Sequence, residues 1–178
     1  MSDTHQRAGV REVDPWKFAG SFLQKVLSPR IPVEPAHPEI PWAPVRKRLA
    51  ESRVALLSTA GLSMKDDAPF DMEGERKKPT WGDPTWRRLR SDATSDSIEA
   101  NHLHIDTSYI LRDLNVALPL DRLRTLADEG VVGSVADSHY SIMGYQGSDS
   151  STLENQSAPE IAETMRNEEV DLAILAPV

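Results

Sequence analysis

Cysteine is missing from all 178 residues, so this stretch of chain contains no disulfide, thiolate nucleophile or thiolate metal site. Long apolar runs are missing as well. No segment approaches the roughly 20 residues that a helical bilayer span needs. The polar start Met1-Ser2-Asp3-Thr4-His5-Gln6 lacks the apolar core of a signal peptide. A cytoplasmic protein without a membrane partner is the expectation. Positive charge is in deficit: 20 Lys and Arg stand against 28 Asp and Glu, a formal charge of −8. Phosphate backbones and anionic lipid would be repelled, which argues against nucleic acid or a membrane surface as partner. Arg87, Arg88 and Arg90 form one local basic patch that reads as a solvated loop. Neither a Walker loop nor a dinucleotide glycine fingerprint occurs, so no nucleotide is indicated.

What is present divides at about residue 44. Asp14-Pro15 predicts a helix start, with Asp as cap and Pro at the first helical position. Trp16, Ala19, Phe22, Leu23, Val26 and Leu27 follow at helical spacing. Pro29, Pro32, Pro35, Pro38, Pro41 and Pro44 then enforce an extended arm, with Trp42 as its anchor. Residues 1–44 are therefore read as an N-terminal helix and proline-rich arm, and residues 45–178 as an α/β domain. After a short basic helix over 45–52, the unbroken run Val54-Ala55-Leu56-Leu57 predicts a parallel strand buried on both faces. Its exit, Ser58-Thr59-Ala60-Gly61, reads either as a ligand-binding end, where open α/β sheets bind ligands, or as a plain strand-to-loop exit. Residues 65–97, charged and rich in Pro, Trp and Gly, read as a long insertion loop. A weak alternation over 97–106 predicts a strand, and Asn115 to Leu118 a second. Asp121 to Glu129 predicts a helix with Leu120, Leu123, Leu126 and Ala127 inward and Gly130 as its stop. Residues 146–156 read as a mobile loop, Ala158-Pro159-Glu160 opens a helix, and Asp171 to Leu175 is a final buried strand. This alternation gives a three-layer α/β fold with a mainly parallel, incomplete doubly wound sheet.

The chemistry gathers between His102 and Tyr145, which hold three of the five histidines and all three tyrosines. On a strand, His102, His104 and Asp106 would share one face. They read either as weak candidates for a metal site or, in the case of His104, Asp106 and Tyr109, as groups that hydrogen-bond a substrate. His139, beside Tyr140 and Ser141, reads as a general acid or base, or as a core histidine satisfied by a backbone carbonyl. Ser141, His139 and Asp106 make a triad on paper without nucleophile-elbow spacing. The candidates are thus His139, His104 and Asp106 for catalysis, and Ser58, Thr59, Tyr109, Tyr140 and Ser141 for substrate.

Five segments in order resemble one family. They are VALLSTAG (54–61), HIDTSYILRDLNVALPLDRL (104–123), EGVVGS (129–134), HYSIMGYQG (139–147) and DLAILAPV (171–178). Their order and spacing resemble the selenoprotein B family of glycine, sarcosine, betaine and D-proline reductases over roughly residues 44–178. The resemblance implies an oxidoreductase that cleaves a carbon–nitrogen bond of an amino acid or betaine-type substrate with electrons from dithiols. It implies other reductase subunits or a thioredoxin-like dithiol donor as partners, an oligomer, and, in the D-proline branch, a pyruvoyl group on a partner chain. The family pattern also places a reactive selenocysteine or cysteine just after the residue matching Val178, at a strand-to-helix junction whose dipole favours the anion.

No such residue is among these 178. The expectation is that the chain alone is inactive, truncated where an in-frame UGA codon was read as stop, with an unfinished sheet edge beside 174–178 that invites association. Two alternatives stand beside the substrate-side portion of a reductase. One is a non-catalytic binding or assembly subunit. The other is a metal-dependent hydrolase working through His102, His104 and Asp106.

Overall fold

The computed structural model describes residues 43–147 and 149–178, together with Ser21, Phe22 and Lys25. The chain divides into units 1–43 and 44–178. Apart from those three helical residues, the expected N-terminal helix and the arm as far as Trp42 lie outside the described residues. In the second unit the expected helix over 45–52 is a single 3-10 turn, Leu49–Glu51.

The mainly parallel α/β sheet expected from sequence is present. Its centre is β1 (Arg53–Ser58), whose apolar run is buried nearly throughout. Strand β7 (Leu172–Ala176) lies parallel to it from Val54↔Leu172 to Ser58↔Ala176. The other side of β1 is shared by two strands, β5 (Ser134–Val135) at its start and β6 (Ser138–Ile142) at its end, both parallel. Strand β3 (Trp86–Arg90) closes the sheet, antiparallel to β6. A separate antiparallel pair joins β2 (Leu62–Met64) to β4 (Ile98–Ala100).

Alternation along β1 builds three layers. Val54 and Leu56 face a core shared with β2, β4, α2 (Ser108–Arg112) and α3 (Leu120–Asp128), through Leu62, Ile98, Ile110, Leu120 and Leu123. Ala55 and Leu57 face the opposite way, onto Tyr140 and the Ile161 of α4 (Ala158–Asn167). Gly130 ends α3 at φ +72°, as its place after the apolar pattern predicts, but Leu126 is exposed rather than inward.

Three local expectations change. Residues 65–97 are not one loop: they hold α1 (Met72–Lys77) and β3. Arg87 explains part of that order, donating to the carbonyls of Ala68 and Pro69 at 2.6 and 2.7 Å and stacking 4.3 Å over Phe70. Arg88 and Arg90 are likewise paired, with Glu168 and Asp66, so the basic patch is a knitted strand. Asn115 to Leu118 is not a strand: Asn115 and Val116 belong to a 3-10 turn, Leu114–Val116. Asp113 accepts both Asn115 N–H groups, and the Asn115 amide in turn bridges to Asp121 at the start of α3. The second half of the expected 146–156 loop is a π-helical turn, Leu153–Ser157, running into α4.

Candidate functional site

Thr59 ties three chain segments together at the carboxyl end of β1. Its amide donates to Ala176 at 3.2 Å, its carbonyl accepts from Gly144 at 3.0 Å, and its hydroxyl accepts from the Val178 amide at 2.9 Å. Gly144 permits this approach, since a Cβ there would sit 3.2 Å from the Thr59 backbone and side chain. Beside the knot lies a cavity of about 670 Å³ lined by Thr59, Pro79, His102, His104, Gly144, Tyr145, Pro177 and Val178. It sits off the carboxyl ends of β1 and β7, the place an open α/β sheet reserves for ligands.

The two histidines arrive on a loop, not a strand. Gly61, at φ +61°, turns the chain from β1 into β2, and its carbonyl accepts from both the backbone and side-chain N–H of Asn101. That fastens the end of β4 one residue before His102. The chain then bends: the His104 amide donates to Nδ1 of His102 at 3.0 Å, and the two rings stand edge to face with centroids 5.9 Å apart. Burial, partly countered by nearby Glu75, pushes the His102 imidazole below its ordinary value, in keeping with a neutral ring whose Nδ1 is an acceptor. His104 is bonded from beneath. Its Nε2 lies 3.0 Å from the Glu75 carboxylate on α1, and that carboxylate is only 2% exposed.

Asp106 is elsewhere employed. Its carboxylate accepts the Ser108 amide at 3.0 Å and opens α2, and hydrogen bonding from the Ser108 side chain, together with that amide, holds it below the usual carboxylate range. The shared face expected of His102, His104 and Asp106 is therefore not formed. Among the described residues no three His, Asp or Glu side chains are grouped to hold a metal ion. Tyr109 is exposed on α2, beneath the Arg112 guanidinium.

The remaining candidates sit within the sheet. His139 is fully buried on β6. Its Nδ1 accepts the Leu56 amide at 3.0 Å, and burial, reinforced by Arg124, pushes it down to about 4. The ring thus meets the backbone through an amide rather than the carbonyl expected of a core histidine, and its Nε2 is buried without a hydrogen-bond partner among the described residues. Ser141 does the same for Leu62 at 2.7 Å, and Ser58 for Ala60 at 3.2 Å. Tyr140 faces the other core, 5.8 Å from Trp86, with its hydroxyl pushed up to about 12 by burial and by Glu168. Of the residues singled out by sequence, Thr59, His104 and the weaker His102 thus share the cavity wall. Glu75, Pro79, Tyr145 and the Pro177-Val178 pair were not singled out there. Glu75 lies in MEGERK, where one carboxylate among four charges carries no sign of burial.

The family model for glycine/sarcosine/betaine reductase selenoprotein B matches residues 30–178. D-proline reductase subunit gamma of Acetoanaerobium sticklandii is 33% identical over 141 residues, covering 79% of this chain and 54% of that one. Glycine reductase complex component B subunit gamma of Symbiobacterium thermophilum is 29% identical over 146 residues, 79% of this chain and 32% of that protein. The corresponding subunit of Carboxydothermus hydrogenoformans is 30% identical over 110 residues, 62% and 25% of the two chains. The chain therefore spans about half the length, or less, of these relatives, each named as a subunit of a reductase. No solved structure matches. Among the described residues no helix is long and apolar enough to cross a membrane. The order of motifs, the α/β frame that carries them and the match over residues 30–178 make this chain a member of the glycine/sarcosine/betaine reductase selenoprotein B family.

Proposed function

We propose that residues 44–178 form the substrate-side portion of a reductase that cleaves a carbon–nitrogen bond in a small amino acid or betaine-type compound. The balance is simple: a dithiol gives two electrons and two protons, the C–N bond breaks, a C–H bond and an amine form, and the dithiol becomes a disulfide. The observation that supports this most directly is the position of Val178. It lines the same cavity as His102, His104 and Thr59, held there through its amide bond to the Thr59 hydroxyl. A selenocysteine or cysteine joined to Val178 would begin at the wall of that cavity. In this reading Thr59 holds the substrate and His104 exchanges a proton with the leaving amine. Asp106 and His139 support it from outside the cavity, through the α2 turn and the β1 backbone.

The names of the relatives favour a second reading, in which the chain is a binding or assembly subunit and another subunit brings the redox group and any pyruvoyl carbonyl. Titration with glycine, sarcosine, betaine and D-proline tests both, followed through the His102 and His104 ring resonances and the Thr59 amide. One of the four should move all three signals; if none does so, the cavity is not the substrate site. Dithiol-dependent turnover with a cysteine- or selenocysteine-bearing partner added in trans then separates the readings, since only a binding subunit gains activity that way.

A further inference from the structure

The Glu75–His104 contact asks for an explanation beyond packing. Glu75 is the most deeply buried carboxylate among the described residues, and its one hydrogen-bonding side-chain partner there is His104. Burying a carboxylate costs several kcal/mol of desolvation, and nothing about folding α1 requires it. The helix is already fastened: Asp71 caps it by accepting the Gly74 amide at 2.8 Å, and the buried Asp83 holds the Asp71 amide at 2.8 Å. Glu75 could have faced solvent, as its neighbour Glu73 does in pairing with Lys77. Instead it reaches an imidazole that lines the cavity and is itself 59% exposed.

We propose that Glu75 is the positioning residue of the cavity, holding the proton of His104 on Nε2 and leaving Nδ1 as the ring nitrogen that meets the substrate. This rests on the cavity being the substrate site, as argued above. The chemical logic is that of a carboxylate behind an imidazole: one ring nitrogen is committed to an orienting acceptor, so the tautomer and ring plane are set before a ligand arrives. The titratable groups facing His104 are Glu75 on α1, His102 on its own loop and Tyr145 on the cavity wall. His102 cannot substitute for Glu75, because its Nδ1 is already taken by the His104 amide.

The test uses the full chain labelled with nitrogen-15, with Glu75→Gln and Glu75→Leu beside it. In the unsubstituted chain, the neutral His104 ring should be a single Nε2–H tautomer with a slowly exchanging proton. Glu75→Leu should release it to the tautomer mixture and fast exchange of a free imidazole, while the His139 signals stay in place. Glu75→Gln keeps an acceptor oxygen and should retain the slow proton. Whichever of glycine, sarcosine, betaine or D-proline binds should do so about tenfold more weakly in the leucine variant, the worth of one hydrogen bond. A mixed tautomer in the unsubstituted chain, or a leucine variant with the same His104 signals, overturns the proposal. The tautomer measurement needs no ligand, so it decides the role of Glu75 even if none of the four compounds binds and the reading of the cavity fails.

Discussion

The His139 imidazole stands in for a strand: its Nδ1 accepts the Leu56 amide at 3.0 Å, between the stretch of β1 paired with β5 and the stretch paired with β6. Burial holds its folded value at about 4, against an ordinary 6.5. Above pH 6.5 the ring is neutral in folded and unfolded chains alike and contributes no pH dependence. As pH falls below 6.5 the unfolded chain binds a proton that the folded chain refuses. Stability then drops by up to about 1.4 kcal/mol per pH unit and levels off below about pH 4. Urea midpoints at pH 7, 6 and 5 measure this. A His139→Asn chain should show a shallower decline over that range, since His102 contributes equally to both. Equal slopes would mean that His139 is not the group responsible.

A second polar device fixes the outer half of the same strand. Glu168 accepts the Ser138 amide at 3.0 Å, the Ser138 hydroxyl, and the Arg88 guanidinium at 2.7 Å, with its own side chain only 14% exposed. Glu168→Ala leaves the Ser138 groups without their acceptor and should destabilise by about 1–3 kcal/mol. Arg88 is largely exposed, so Arg88→Ala should cost about 1 kcal/mol or less. Chemical denaturation of the two variants gives the comparison; a costlier arginine would show that the ion pair, not the backbone acceptor, matters.

These two devices show why the sheet was only partly legible in the sequence. β1, β7, α3 and α4 announce themselves through local apolar patterning, which is decided within a few residues, although β7, expected as a buried strand, is exposed at Ala173, Ile174 and Leu175. β6 does not. Ser138, His139 and Ser141 look like loop residues until Glu168, Leu56 and Leu62 supply their partners from across the fold. The alternation through His102 and Asp106 misled for the converse reason, because Asp106 and His102 satisfy nearby backbone amides and bend the chain. Within the site, Thr59 was findable as the polar end of a buried strand. Glu75 was not, since its burial depends on where α1 lands.

Two glycines with positive φ separate backbone strain from crowding. Gly130, at φ +72°, has open space where a Cβ would go, so Gly130→Ala should cost only the left-handed penalty of about 1–2 kcal/mol. Gly61 has a similar φ of +61°, but a Cβ there would come within 2.4 Å of the Asn101 carbonyl oxygen and the Met143 sulfur. Gly61→Ala should cost at least about 1 kcal/mol more than its counterpart and broaden the His102 and His104 signals, because Asn101 anchors their loop. Equal thermal shifts for the two variants would remove the argument that this turn sets the site.

Thr59→Val keeps the shape of the side chain and deletes its two bonds to Val178, at 2.9 and 3.4 Å. Global stability should change by about 1 kcal/mol or less. Amide exchange at Val178 should accelerate severalfold while Leu172 to Leu175, held by the β1 ladder, are unaffected. Unchanged protection at Val178 would show that Pro177 and the strand alone hold this residue at the cavity.

Strand β7 raises the question of association. Its sequence, Leu-Ala-Ile-Leu-Ala, carries no charge and no proline, and among the described residues it pairs only with β1. Ile174 is 47% and Leu175 66% exposed, on opposite faces. Leu175 also borders a second, apolar cavity of about 260 Å³ between β7 and α4, with Met165 and Ile161. An apolar edge without a charged residue within it favours strand-to-strand pairing. Sedimentation velocity over a tenfold range of concentration should therefore show reversible self-association. Leu175→Lys puts a charge at the more exposed position, where its cost in stability should be about 0.5 kcal/mol or less, and should shift the distribution toward monomer. A monomer at every concentration, or a lysine variant that associates as strongly, would show that this edge is not the surface through which copies meet.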